Sequence, residues 1–148
     1  MSRLQLALNV SNLDEAVDFY TKVFKTEPAK LRPGYANFAI TEPPLKLVLF
    51  LNAGQPGTIN HLGVEVSTTE EVQAATRHLA EQGFATDIEE KTTCCFAVQD
   101  KVWVDGPDSS RWEVYTVLAD ASDSATVAGD ASCCDSGSLV LSDAAPCC

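Results

Sequence analysis

Two stretches of the sequence lie over one another at an offset of 56 residues. Gln5-Leu6-Ala7-Leu8-Asn9-Val10-Ser11, followed by Asp14-Glu15, matches His61-Leu62-Gly63-Val64-Glu65-Val66-Ser67, followed by Glu70-Glu71. A repeat of this period is one supersecondary unit used twice. In each copy apolar and polar residues alternate, which predicts a strand, and the acidic pair behind a Ser predicts a helix start. Leu13, Ala16, Val17, Tyr20 and Phe24 then recur at helical spacing, with Ser11 or Asn12 as N-cap. In the second copy Val72, Ala75 and Leu79 form the stripe, Thr68-x-x-Glu71 reads as a capping box, and Gly83 supplies the stop. Further strand candidates follow each helix, divided by turn signals at Pro33-Gly34, Pro43-Pro44 and Asp105-Gly106-Pro107-Asp108. They are Tyr35 to Ile40 and Lys46 to Leu51 in the first unit, and Phe84 to Ile88, Phe96 to Val104 and Arg111 to Leu118 in the second. The expected class is α+β, with two tandem βαβββ units, residues 1–52 and 58–118, forming one curved mixed sheet.

The 148 residues suit one domain of ordinary size. From Ala119 to Cys148 the chain has no aromatic residue and no Lys, Arg or Glu, so residues 119–148 are expected to form a flexible tail outside the domain of residues 1–118. Ten Lys and Arg stand against twenty-one Asp and Glu, a formal charge of −11 that repels phosphate backbones and anionic lipid. No nucleic-acid partner and no membrane association are expected. The first residues run straight into a strand pattern without the features of a signal peptide, which makes the cytoplasm the expected compartment.

Strand period two places Leu6, Leu8 and Val10 on one face, and Gln5, Ala7 and Asn9 on the other. In the repeat Leu62, Val64 and Val66 oppose His61, Gly63 and Glu65. The apolar faces suit the helices, so Gln5 and His61 occupy equivalent positions pointing into one cleft. Glu113 on the last strand adds a carboxylate between Trp112 and Val114, a setting that calls for a cation or a metal. Lys101 and Arg111 are its candidate ion-pair partners. His78 falls off its helix's apolar stripe and is read as solvent-facing.

The six cysteines form three adjacent pairs, Cys94-Cys95, Cys133-Cys134 and Cys147-Cys148. A bridge between neighbours closes a strained ring, and the spacing is not that of a zinc ribbon or a thioredoxin-like motif.

The paired βαβββ pattern, with a polar residue on the first strand of each unit and a Glu on the closing strand, resembles the vicinal oxygen chelate superfamily of glyoxalases, bleomycin-resistance proteins and type I extradiol dioxygenases. That resemblance implies a sheet wrapped around a metal cleft. In the dioxygenases two His and one Glu hold Fe(II) from these positions, and here Gln5 stands where the first His would be, beside His61 and Glu113. The further carboxylate common in glyoxalase I would fall at about Val48. A narrower resemblance, to the ArsI and CadI proteins, is carried by Arg3-Leu4-Gln5-Leu6-Ala7-Leu8, the run from Lys30 to Ile40, Pro44-Leu45-Lys46-Leu47-Val48-Leu49, Asn60-His61-Leu62-Gly63-Val64-Glu65-Val66 and the run from Thr92 to Val104.

The ArsI resemblance implies an Fe(II)-dependent dioxygenase, with O₂ as co-substrate, that breaks the carbon–arsenic bond of trivalent organoarsenicals such as methylarsonous acid. Gln5, His61 and Glu113 would be the metal ligands. Cys94 and Cys95 would bind substrate, because As(III) is soft and adjacent thiolates exchange for its hydroxyl groups. Tyr115, Lys101 and Arg32 are the candidate acid–base residues, and the Thr92-Thr93 stretch is read as leading into a loop that carries the cysteines to the cleft. The tail pairs Cys133-Cys134 and Cys147-Cys148 are candidate sites for soft metal ions. Two other readings stand beside this one: a CadI-like protein that sequesters cadmium or arsenic without turnover, and a glyoxalase-like metalloenzyme. The superfamily builds its cavity within one chain or across a swapped dimer, which leaves a homodimer open.

Overall fold

The computed structural model describes residues 2–121. The expectations for the remaining tail, including Cys133, Cys134, Cys147 and Cys148, lie outside the described residues. The element order is β1 (Arg3–Val10), α1 (Leu13–Phe24), β2 (Lys30–Arg32), β3 (Tyr35–Ile40), β4 (Leu45–Leu51), β5 (Ile59–Glu65), α2 (Thr69–Glu81), β6 (Thr86–Cys94), β7 (Ala97–Asp105) and β8 (Arg111–Asp120). Each half is a βαβββ unit, as the repeat predicts. Among the described residues no helix is long and apolar enough to cross a membrane.

All eight strands join one mixed sheet in the order β2-β3-β4-β1-β5-β8-β7-β6. The two halves of that order mirror each other about the β1·β5 pair. Strand β1 runs parallel to β4, β5 parallel to β8, and β1 antiparallel to β5. The sheet curls into a half-barrel, the vicinal oxygen chelate fold, with the two repeated strands at its centre.

Local chemistry fixes the helix starts. Asn12 caps α1 by accepting from the Glu15 amide, and Thr68 and Glu71 form the reciprocal capping box of α2. The stripe of Leu13, Ala16, Val17, Tyr20 and Phe24 packs with Leu6, Leu8 and Val10 against a core of Ala36, Phe38, Ile40, Leu47 and Leu49. The opposite face of β1, with Gln5, Ala7 and Asn9, is fully buried in the concave side of the sheet. A chain that hides polar side chains there must satisfy them internally.

Strand β2 (Lys30–Arg32) is not among the strands the sequence reading gives, and the bounds of β6, β7 and β8 differ from it. Phe84 precedes the sixth strand, which instead starts at Thr86 and continues through Thr92 and Thr93 to Cys94. Its exposed pattern is that of an edge strand wet on both faces, so apolar alternation does not mark it. Phe96 lies in a turn, so β7 starts at Ala97. Finally, β8 extends two residues past Leu118, because the backbones of Ala119 and Asp120 pair with Val98 and Ala97 whatever their side chains.

Candidate metal centre

Backbone register sets up the centre. Gln5 on β1 pairs with Gly63 on β5, and Gly63 pairs with Glu113 on β8, so an amide and a carboxylate flank a glycine in one row. His61 lies two residues before Gly63 on the same face, opposite Ala7. The three side chains converge: Gln5 Nε2 is 3.0 Å from His61 Nε2 and 2.6 Å from Glu113 Oε1, and His61 Nε2 is 3.4 Å from Glu113 Oε1. All three residues are at most 5% exposed.

Gly63 makes this approach feasible. A Cβ at that position would lie 2.9 Å from Glu113 Cγ, 3.3 Å from the Glu113 carbonyl oxygen and 3.4 Å from Gln5 Cβ. Gly63→Ala should therefore push Glu113 away from Gln5 and cost about 1–3 kcal/mol of overpacking strain. Urea unfolding measures that loss, and an unchanged midpoint would show that the row relaxes freely.

Each donor is held from behind. His61 Nδ1 is 2.8 Å from Asn60 Oδ1, and the Asn60 amide in turn donates to Asn9 Oδ1 at 3.0 Å. Donation of Nδ1–H to Asn60 leaves the Nε2 lone pair facing Gln5 and Glu113, the tautomer a metal ligand requires. Lys101 Nζ donates to Glu113 Oε2 at 2.9 Å, leaving Oε1 toward the centre. Burial opposes ionisation of Glu113, but a hydrogen bond from the His61 ring when Nε2 carries a proton, with the Lys101 ammonium, outweighs it and holds the carboxyl down at about 2; the metal-ligating tautomer withholds that hydrogen bond and leaves Lys101 as the counter-charge. Lys101 is itself 2% exposed and sits 5.1 Å from the Trp103 ring centre. The Tyr115 hydroxyl donates toward Gln5 Oε1 and Glu65 Oε2. Burial and the neighbouring carboxylates of Glu65 and Glu113 raise its pKa far above the ordinary tyrosine value, so it stays protonated.

Cys94 ends β6, and Cys95 and Phe96 form a two-residue turn into β7 with φ of 50° and 63°. Both turn residues therefore occupy the left-handed region that a tight hairpin requires. This corrects the expected cleft loop: Thr92 and Thr93 lie within the strand, and the hairpin tip alone reaches inward. Cys94 is buried with Ala7, Tyr35, Val48 and Phe50, whereas Cys95 lines the cavity. The two sulfurs are 3.7 Å apart. Contacts from the first unit hold the tip: Lys30 Nζ donates to the Phe96 carbonyl at 2.9 Å, and the Tyr35 and Phe96 ring centres are 5.5 Å apart.

The resulting cleft is small, with an accessible volume of about 10 Å³, and is lined by Gln5, His61, Glu113, Lys101, Cys95, Lys46, Gln99, Tyr35, Val48 and Phe50. Arg32 and His78 do not line it: Arg32 lies over the Phe96 ring and His78 is exposed in the last turn of α2. Sequence reasoning missed Lys46. Strand β4 pairs it with Gln5, and its ammonium is 3.2 Å from Glu65 and 4.9 Å from the Tyr115 ring centre. Burial lowers its pKa, against the opposing pull of Glu65. Val48 pairs with Ala7 as Glu113 pairs with Gly63, so an apolar side chain stands at the position equivalent to Glu113.

Among the described residues no three His, Cys, Asp or Glu side chains gather as for a metal ion. The convergent set has two of these and an amide. Ligands about 2.1 Å from one ion and at right angles to each other stand about 3 Å apart, the spacing of these three groups. With the Gln5 amide turned so that Oε1 rather than Nε2 faces inward, an imidazole, a carboxylate and an amide oxygen together suit a divalent ion of borderline hardness, and the donor chemistry fits.

Comparison with known proteins agrees with this architecture. Residues 3–114 match the model of the Glyoxalase/Bleomycin resistance protein/Dioxygenase superfamily. The trivalent organoarsenical cleaving enzyme of Thermomonospora curvata is 55% identical, with 100% of both chains covered. The cadmium-induced protein CadI of Mycobacterium tuberculosis is also 55% identical, over 95% of this chain and 97% of its own. Among solved structures, homoprotocatechuate 2,3-dioxygenase from Arthrobacter globiformis shares the fold, with a TM-score of 0.57 and 19% identity over 80% of this chain and 36% of the enzyme. A duplicated βαβββ unit closing a polar cleft, matched along its length by these relatives, makes the chain a member of the glyoxalase, bleomycin resistance and dioxygenase superfamily, in the group that holds the organoarsenical cleaving enzymes and CadI.

Proposed function

We propose that the protein is an Fe(II)-dependent dioxygenase that cleaves the carbon–arsenic bond of trivalent organoarsenicals, with Gln5, His61 and Glu113 as ligands and Cys94 and Cys95 as the substrate clamp. The observation that carries the reading is the convergence of those three donor groups in a cleft that Cys95 also lines. The relative named as a trivalent organoarsenical cleaving enzyme supports the substrate class.

Fe(II), held by these residues, would supply the binding and activation of O₂. The chain does the rest. In thiolate form the cysteine pair takes As(III) by exchange with its hydroxyl groups, which fixes the organic substituent at the cleft. Lys101 keeps Glu113 ionised and aimed inward, and Asn60 keeps the His61 lone pair inward. Tyr35 and Phe50 wall the cleft against water. Overall, methylarsonous acid and O₂ balance as formaldehyde and arsenous acid. Lys101 and Tyr115 are the groups able to hold or pass a proton beside the reacting atoms.

The test is anaerobic loading with Fe(II), addition of methylarsonous acid, then admission of air. Arsenite should appear only after air enters and only in loaded protein. Retention of arsenic or Cd(II) on the protein, with no arsenite released, would favour sequestration, the reading that the equal identity to CadI supports. Turnover with Ni(II) or Zn(II) on a ketoaldehyde hemithioacetal, without O₂, would indicate a glyoxalase-like isomerase.

A further inference from the structure

The Gln5 amide has two unlike ends. Nε2 points at His61 Nε2 and Glu113 Oε1, while Oε1 receives the Tyr115 hydroxyl. An amide nitrogen shares its lone pair with the carbonyl and gives none to a cation, so ligation requires the oxygen. Turning the amide end for end places Oε1 toward His61 and Glu113 and brings the NH₂ to the Tyr115 oxygen. The single Tyr115 proton then needs another acceptor. Glu65 Oε2 stands 2.8 Å away, with Lys46 at 3.2 Å from the same oxygen and Arg3 holding the other, Oε1, at 2.9 Å.

Resting on the metal centre proposed above, we infer that Tyr115 and Glu65 are positioning residues that select which end of Gln5 faces His61 and Glu113. A phenol that donates to Gln5 favours the nitrogen-inward amide, and one that donates to Glu65 favours the oxygen-inward amide. Turned inward, Gln5 Oε1 faces two further acceptors, Glu113 Oε1 and the His61 lone pair, so that arrangement needs the cation between them and needs the phenol proton to find another acceptor. An ionised acceptor is the stronger one. Burial opposes ionisation of Glu65, but Lys46, the Tyr115 hydroxyl and Arg3 outweigh it and hold its carboxyl below the ordinary value. Glu65 thus biases Gln5 toward its ligating end without touching the ion.

Co(II) serves as the probe, titrated calorimetrically into wild type, Glu65→Gln, Tyr115→Phe and the double variant, each first shown to be folded by circular dichroism. Glu65→Gln should weaken Co(II) binding about tenfold. In the Tyr115→Phe background the same change should alter affinity less than twofold, because the phenol that couples Glu65 to Gln5 is gone. Affinity unchanged in Glu65→Gln, or an equal loss in both backgrounds, would overturn the inference. If Glu65→Gln does not fold, Glu65→Asp replaces it with the same expected direction, since the shorter side chain retreats from the phenol. Glu113→Ala is the control for the underlying reading. Undiminished Co(II) binding there overturns the metal centre itself, whereas loss there with no Glu65 effect overturns only the role of Tyr115 and Glu65.

Discussion

Glu113→Ala is expected to abolish arsenite release and to lower the unfolding free energy by about 3–5 kcal/mol. Both effects come from one carboxylate. Its Oε1 is one of the three convergent donors, and its Oε2 neutralises Lys101, which is 2% exposed. Truncation removes a ligand and leaves an ammonium buried without its counter-charge. Folding depresses the Glu113 pKa from an ordinary value near 4.5 to about 2. Its contribution is therefore complete above about pH 4.5 and is lost as pH falls toward 2, amounting to about 3 kcal/mol at 1.36 kcal/mol per unit. Urea unfolding at pH 7, 5 and 3 should show the wild type losing stability across that window more steeply than the variant. Adding Lys101→Met to Glu113→Ala should recover much of the stability, since it removes the stranded charge, and none of the activity. A single Glu113→Ala variant as stable as wild type, or one that still releases arsenite, would separate the carboxylate from the role given to it.

How much of this centre can be read in the sequence depends on which physical signal each residue leaves. The 56-residue repeat and the period-two strands place Gln5 and His61 on one face, because a fold duplication writes its symmetry into the pattern of side chains. The same repeat places Val48 at the position equivalent to Glu113. Other parts leave no such trace. Strand β6 is an edge, so Glu89, Glu90, Lys91 and Thr92 show no apolar alternation and its end at Cys94 is hidden. The two-residue turn at Cys95 and Phe96 lacks the Asn or Gly that commonly marks a left-handed hairpin, and contacts from Lys30 and Tyr35 stabilise it from the other unit. Lys46 and Asn60 gain their places only through pairing across strands distant in sequence, with Gln5 and with Asn9. The alternation Lys46-Leu47-Val48 is compatible with a solvated lysine, and nothing local announces that Glu65 waits beside it.

Replacing both Cys94 and Cys95 by serine should raise the KM for a trivalent arsenical at least about a hundredfold while Fe(II) binding stays within a factor of two. The hydroxyl is a hard donor with little affinity for soft As(III), and a hundredfold loss corresponds to about 2.7 kcal/mol. The metal donors are separate side chains on β1, β5 and β8, so loading should not depend on the sulfurs. The single variants should differ. Cys95 faces the cleft, and Cys95→Ser should act mainly on KM. Cys94 is 5% exposed among Ala7, Tyr35, Val48 and Phe50, so Cys94→Ser also buries a hydroxyl in apolar surroundings and should cost about 1–3 kcal/mol of stability. Steady-state kinetics, Fe(II) titration and urea unfolding on the three variants resolve these contributions. Unchanged KM in the double variant would remove the sulfurs from substrate binding and leave recognition to the aromatic walls and the metal, whereas a parallel loss of Fe(II) binding would mean that the sulfurs belong to the metal centre itself.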